Sequence, residues 1–250
     1  EASVSKMKVL ILNGSPKIGR SNTLNVTNAF VSGFPEGTEV KRIDIYSKDI
    51  KPCRGCFACW ASADGTCAIK DDMAEIIAAI KEADVIIESF PLYFYGMPSQ
   101  LKAVTDRCLA LAEPYMGTRS DDGQTFNKMR DPSIFKKKFV IISSCGYVEL
   151  EPVYPALLAQ YDLICGGRDR YTAILCPMGE VFMTGKAKRQ IRVYMDDLKK
   201  AGAEYCANGF KLDPETIRKL QIPLLSPEGF ATLTSSHLNE GGWAASRFEK

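Results

Sequence analysis

Short apolar runs alternate along the chain with longer stretches whose apolar residues recur at helical spacing. Val9–Leu12 is a continuous run of β-formers, as a parallel strand covered on both faces requires. Val40–Ile45, Val85–Glu88, Phe139–Ser143 and Tyr171–Leu175 read as four further strands. Helices are predicted between them, at about Ser21–Phe34, Pro98–Ala112, Val153–Cys165 and Lys186–Tyr205. One more begins at Asp71 and Asp72, read as its caps, and carries Met73, Ile76, Ile77 and Ile80 on one face. Two stretches break the alternation: a cysteine-rich loop at Lys51–Lys70 and a polar, turn-rich excursion at Glu113–Phe135. After Asn208 a tail with Pro214, Pro223 and Pro227 reads as two short helices packed on the body or on a neighbouring subunit.

Five strands separated by helices call for a parallel sheet with right-handed crossovers and helices on both faces. The expected division is an α/β domain over residues 7–207 and a helical extension over residues 208–250. In such sheets ligands bind beyond the carboxyl ends of the strands, at a topological switch point. The informative loops are therefore those after strands one, three and four: Asn13–Thr23, Phe90–Met97 and Ser144–Tyr147.

The first loop joins a strand to a helix through Asn13-Gly14-Ser15-Pro16-Lys17-Ile18-Gly19-Arg20-Ser21-Asn22-Thr23. Gly14 and Pro16 force a turn, and Ser21-Asn22-Thr23 supplies N-cap chemistry. Unpaired N–H groups and the positive end of the helix dipole then converge where a phosphate can sit. Neither Gly-Lys-Ser/Thr nor Gly-x-Gly-x-x-Gly is present, which argues against triphosphate hydrolysis and ordinary dinucleotide binding. A hydroxyl-rich loop suits a monophosphate; an ordinary capped turn is the alternative. The third loop holds Tyr93, Phe94 and Tyr95 between Pro91 and Pro98, with Gly96 allowing close backbone approach. Such aromatics cover a flat ligand or pack against a neighbouring subunit. The fourth, Ser143-Ser144-Cys145-Gly146-Tyr147, offers small residues and backbone donors, or a plain strand-to-helix turn. Together the loops suit phosphate at one end and a conjugated ring at the other, which points to flavin mononucleotide (FMN).

Composition narrows the chemistry further. The 250 residues, 46% hydrophobic and 25% charged with net charge +2, are those of an ordinary globular protein. That balance gives no reason to expect nucleic acid or an anionic membrane as partner, and no apolar run approaches the roughly 20 residues of a membrane span. Val9–Leu12 is too short for the core of a signal peptide, Met7 reads as a start, and a cytoplasmic location is expected. A single histidine, His237, leaves no Ser-His-Asp or His-rich zinc catalysis. Nine cysteines read as reduced thiols or cofactor ligands rather than disulfides. Four of them form Cys53-x2-Cys56-x2-Cys59-x7-Cys67, a spacing that wraps a 4Fe–4S cubane. Bare thiols are the open alternative, and a four-thiolate zinc site a weaker third. Cys108, Cys165, Cys176 and Cys206 read as core residues, and Cys145 as a core residue in reach of the ligand.

Asn-Gly-Ser-Pro followed by Ser21-Asn22-Thr23, the run from Ser89 to Pro98 with Lys102, Asp106 and Arg107, and the cysteine motif leading to Asp71-Asp72-Met73 resemble the NADPH-dependent FMN reductase family. They look most like its iron–sulfur flavoprotein branch. The resemblance implies a flavodoxin-like three-layer sandwich with strand order 2-1-3-4-5, bound FMN, NAD(P)H as co-substrate, and a homodimer or homotetramer. It implies that Ser15, Lys17, Ser21, Asn22 and Thr23 hold the phosphate. Pro91, Leu92, Tyr93, Phe94 and Gly96 would flank the isoalloxazine, with Ser144, Cys145 and Gly146 at its other edge. The expected activity passes electrons to a quinone, flavin or other small acceptor. The alternative is an electron carrier with a 4Fe–4S cluster on Cys53, Cys56, Cys59 and Cys67, served by a ferredoxin-like donor. Relatives keep parts of the cysteine loop while working with FMN alone, so the motif does not choose between the two.

Overall fold

A computed structural model describes residues 6–118, 123 and 125–239. Its centre is a parallel sheet of β1 (Lys8–Asn13), β2 (Glu39–Asp44), β3 (Val85–Pro91), β6 (Lys138–Ser144) and β7 (Tyr171–Cys176). The spatial order is β2-β1-β3-β6-β7, which is 2-1-3-4-5 when the five sheet strands are counted alone. β4 (Ala112–Thr118) and β5 (Thr125–Met129) form a separate antiparallel hairpin. The helices are α1 (Asn22–Val31), α2 (Ala58–Ala61), α3 (Met73–Glu82), α4 (Ser99–Arg107), α5 (Pro155–Cys165), α6 (Lys188–Ala207), α7 (Pro214–Leu220) and α8 (Pro227–Asn239).

The continuous apolar runs are explained by burial on both faces. Leu10 and Leu12 of β1 join Ile86 and Ile141 under α3, α4 and α5. Val9 and Ile11, pointing the other way, join Val85, Ile87, Val140 and Ile142 under α1 and α6. On that second face α1 and α6 pack so closely that a Cβ at Gly202 would lie 1.8 Å from the Phe30 carbonyl oxygen, so glycine is required there. The tail docks on the same face. Leu212 and Leu220 are buried in this cluster, and the Tyr194 hydroxyl donates to the Leu220 carbonyl at 3.1 Å.

Several expectations need correction. β3 runs through Pro91, which pairs with Ser144, so the third loop starts later than predicted. α4 ends at Arg107, with a 3-10 turn continuing to Leu111. The polar excursion contains the β4–β5 hairpin, hidden by Pro114, Gly117 and a mostly exposed, broken alternation. Its residues 119–122 and 124 lie outside the described residues. Asp72 stands at the N-cap of α3 without a side-chain cap bond. The Asp71 carboxylate instead accepts from the Met73 N–H at 3.2 Å, and Asp72 accepts from the Asp49 N–H at 2.8 Å.

One buried group runs against the pattern of the sheet. Glu88 sits mid-strand in β3, 6% exposed, and accepts a bond from the Tyr161 hydroxyl. Burial penalises its charge and pushes the carboxyl up to about 7, outweighing the Tyr161 bond. The folded state therefore keeps a proton that the unfolded chain releases near 4.5. Stability from this group is complete below that value and is lost as pH rises toward 7. Glu88→Gln should remove the loss, stabilising the protein at pH 8 by on the order of 3 kcal/mol relative to wild type and by much less at pH 5. Thermal unfolding of both proteins across that range tests it; an equal shift at both pH values contradicts it.

Candidate functional site

Sheet register brings the strands' carboxyl ends into one row. Asn13 lies opposite Asp44 on one side and Ser89 on the other, while Ser144 lies between Pro91 and Cys176. All of Asn13, Ser15, Ser21, Thr23, Ser89 and Ser144 are buried, so each polar group needs a partner. The Asn13 amide donates to Asp44 at 2.7 Å and to the Ile18 carbonyl at 3.2 Å, and its oxygen accepts from the Ser15 N–H at 3.3 Å. These bonds fold the first loop back on itself and hold Ile18 at φ 51°, a left-handed conformation unusual for a β-branched residue.

Ser21 then caps α1, its hydroxyl accepting from the Leu24 N–H at 3.2 Å. The amides of Asn22 and Thr23 lie ahead of the first intrahelical bond, from Asn25 to Ser21, and so point out of the helix end. Thr23 and Ser144 share a hydroxyl–hydroxyl bond, and Thr27 donates to Ser89 at 2.8 Å. α1 is thereby tied to β3 and β6, with its positive end facing the row of strand termini.

A pocket of about 180 Å³ opens at this edge. Ser15, Lys17, Ser21, Asn22 and Thr23 form one wall. Pro91, Leu92 and Tyr93 form a second, and Ser144, Cys145 and Gly146 a third. The Leu92 N–H donates to the Ser144 carbonyl at 2.8 Å, locking the second wall to the third. Phe94 and Gly96 do not line the pocket. They belong to a tight turn closed by reciprocal Tyr93 and Gly96 backbone bonds, each 3.0 Å, and Phe94 at its tip is fully exposed. The positive φ angles of this turn fall on Phe94 and Tyr95 rather than on the glycine.

The loop after β7 supplies a fourth wall that the sequence reading did not include: Gly179, Glu180 and Met183. Asn22 donates to the Gly179 carbonyl at 3.0 Å, and the Lys17 ammonium lies 3.0 Å from the Met183 sulfur. One Glu180 carboxylate oxygen is buried without a hydrogen-bond partner. Burial pushes this carboxyl up, with Lys17 pulling weakly the other way. Gly146 makes room for it, since a Cβ there would lie 2.4 Å from the Glu180 carboxylate. The available signal was positional: a loop after the fifth strand opens on the same edge as the other three.

The four motif cysteines lie apart from this pocket's walls. Cys53 and Cys56 are exposed, and Cys59 and Cys67 are half-buried. Burial raises the Cys59 thiol, with the Cys67 and Cys53 sulfurs adding to the effect. Among the described residues, no group of three or more His, Cys, Asp or Glu is gathered closely enough to hold a metal ion. As arranged, the sulfurs do not close the cage that a cluster needs. Arg107 Nη2 donates to the Cys67 sulfur at 3.4 Å, and Arg130 donates to the carbonyls of Cys59 and Ala63 at 2.9 and 3.0 Å. Cys108, Cys165 and Cys206 are half-buried and Cys145 and Cys176 buried; all nine cysteines are free thiols. His237 falls in α8, with its side chain outside the described residues.

Residues 7–157 match the family defined by the flavodoxin-like fold, well over half of the chain. The chain belongs to the flavodoxin-like family. An iron–sulfur flavoprotein of Methanocaldococcus jannaschii is 42% identical over 101 residues, 40% of this chain and 51% of that protein. The flavodoxin-like chain spans about half the length of the curated iron–sulfur flavoprotein relatives it matches. Among solved structures, an NAD(P)H:quinone oxidoreductase from Methanothermobacter marburgensis aligns with TM-score 0.55 at 20% identity, covering 80% of this chain and 98% of that one. An FMN-dependent NADH-azoreductase from Bacillus anthracis, in complex with FMN, aligns with TM-score 0.53 at 16% identity, covering 82% and 100%. These two likenesses carry the fold.

In this flavodoxin-like protein the cysteine loop is anchored by a fully buried ion pair between Arg107 and Asp71. Asp71 also accepts from the Lys51 N–H at 2.9 Å, and Arg107 reaches the Lys51 carbonyl at 3.1 Å, so the pair staples both ends of the loop. Removing either partner strands the other as a buried charge. Asp71→Asn and Arg107→Met should each cost about 3–5 kcal/mol, and the double variant clearly less than the sum. Urea unfolding midpoints of the four proteins measure this, and additive losses would contradict the coupling.

Proposed function

We propose that this protein is an FMN-dependent oxidoreductase that takes hydride from NADH or NADPH and passes electrons to a small acceptor, such as a quinone, free flavin, or nitro or azo compound. The observation that carries the reading is the convergence of four loops on one pocket at the carboxyl edge of the sheet. Ser15, Lys17, Ser21, Asn22 and Thr23 would hold the flavin phosphate, with hydroxyls, a cation and the open end of α1 meeting there. Pro91, Leu92 and Tyr93 would support the isoalloxazine, with Ser144, Cys145 and Gly146 along its other edge. Phe94 and Gly96 would act from outside the pocket, setting the turn that presents Tyr93. When bound, FMN supplies the hydride chemistry, and the protein supplies binding, orientation and electrostatics. Backbone amides near Gly146 would stabilise negative charge on the ring by hydrogen bonding. No side-chain nucleophile is needed. The names of the azoreductase and the quinone oxidoreductase support the same reading.

A second reading, an electron carrier with a cluster on Cys53, Cys56, Cys59 and Cys67 and a ferredoxin-like donor, is favoured by the Arg107 bond to the Cys67 sulfur and by the iron–sulfur flavoprotein relatives. Nine free thiols suit a reducing, cytoplasmic compartment. The exposed Phe94, Tyr115 and Met116 offer apolar surface that a second copy would cover in a homodimer or homotetramer.

The protein purified without oxygen and reconstituted with FMN should show flavin absorbance bands that bleach on adding NADH or NADPH, with no iron. Failure to take up FMN would overturn both readings. Flavin that resists both nicotinamides, together with iron at cluster stoichiometry, would replace the enzyme with the carrier.

A further inference from the structure

Another cavity, of about 650 Å³, opens at the opposite edge of the sheet, where β6 and β7 begin. The segment between α6 and α7 closes one side of it with Phe210, Lys211 and Leu212. The seven residues of β6, at roughly 3.3 Å each, set it about 20 Å from the pocket at the carboxyl edge. Five of its lining residues are cations: Lys137, Lys138, Arg168, Arg170 and Lys211. Among the lining residues Asp169 is the one carboxylate. The whole chain carries 32 basic and 30 acidic residues, so the imbalance is local.

Helix C-termini attract cations, and that effect places one of the five. The Lys137 ammonium donates to the carbonyls of Lys81 and Ala83 at the end of α3, at 2.7 and 2.5 Å. Lys138, Arg168 and Lys211 are not placed this way. Among the described residues, none of the three has a carboxylate or carbonyl within bonding reach of its side chain. Two of them rest on aromatic faces instead. The Lys138 ammonium stands 5.6 Å from the Phe210 ring centre, and the Arg168 guanidinium 4.8 Å from that of Tyr171. A guanidinium stacked on a ring still has its fork of N–H donors, which matches a phosphate bidentately. Phe135, 62% exposed, adds an uncovered aromatic side chain to the same lining.

Cations gathered without carboxylates repel one another, and a multiply charged anion among them removes that repulsion. The volume falls in the range of small-molecule sites, roughly 300–1,000 Å³, and leaves room beside a phosphate for a ring against the aromatic wall. We propose that this cavity is a ligand site for a soluble phosphorylated ring compound of mononucleotide size, its phosphate held by Lys138, Arg168 and Lys211 and its ring by Phe135 and Phe210. A recessed site suits a soluble molecule better than the flat face of a bilayer, the other source of phosphate. The proposal is independent of the flavin reading.

The test uses the full chain and AMP, with adenosine and inorganic phosphate as its two halves and phosphatidylglycerol vesicles as the lipid source of phosphate. Isothermal titration calorimetry should show AMP binding that weakens as salt is added. Adenosine and phosphate should each bind at least about tenfold more weakly, and the vesicles not at all. Amide shifts on AMP binding, followed by NMR, should centre on Lys138, Arg168 and Lys211. Arg168→Gln and Lys211→Gln should each weaken AMP binding about three- to tenfold, and the two together more. Phe135→Ala should weaken AMP binding and leave that of phosphate unchanged. All three side chains are exposed, so the fold should survive; thermal unfolding verifies it, and the wild-type shifts carry the test should a variant not fold. No AMP binding, shifts confined to the β1–α1 loop, or adenosine binding as tightly as AMP would each overturn the site. So would vesicle binding in place of AMP, or AMP affinity that these substitutions leave unmoved. Failure to take up FMN would sink the flavin reading and leave this one standing.

Discussion

Polar groups buried at the end of a sheet covered on both faces have no water to turn to, and the architecture of this edge follows from that constraint. An unsatisfied buried donor or acceptor costs about 1–3 kcal/mol. The side chains at the strand termini answer one another instead: Asn13 with Asp44, Thr27 with Ser89, Thr23 with Ser144. Each bond joins two elements that are distant in sequence, so satisfying the hydroxyls and amides also fixes where α1 starts and which way it points. The open end of the helix faces the pocket because its own threonines are tied to β3 and β6. Fold and site share these bonds.

The parallel core was legible because β-strands covered on both faces need apolar runs, and four such runs, with the more polar and exposed β2 segment and helical spacing between them, admit few topologies. The first loop was legible for a related reason: Gly14, Pro16 and the Ser21 cap act through local backbone chemistry. What stayed hidden depends on contacts between distant segments. The β4–β5 hairpin is stabilised by pairing along exposed strands whose alternation is broken, so periodicity carries no trace of it. Asp71 rather than Asp72 serves the start of α3 because Arg107 and Lys51 draw it there. Nothing in the run Val85–Glu88 tells that Glu88 will meet Tyr161 of α5. Glu180 entered the site through the same edge geometry that identified the other three loops.

The site divides into a rigid part and a sprung part. The walls at the start of α1 are hydroxyls locked in buried hydrogen bonds, a preorganised cradle. The aromatic turn is different: short, strained and held out toward solvent, with Tyr95 meeting Tyr147 across the mouth. The cysteine loop is stapled by the buried Arg107–Asp71 pair.

The central claim is that the β1–α1 loop is built around a phosphate, and the most direct measurement compares FMN with riboflavin, which lacks only that group. Flavin fluorescence titrations of the apoprotein with each should give affinities differing by about 100-fold or more in favour of FMN, as several charge-assisted hydrogen bonds together require. The preference should shrink when Ser21 and Thr23 are replaced by alanine. Equal affinity for FMN and riboflavin in the wild-type protein would contradict the account.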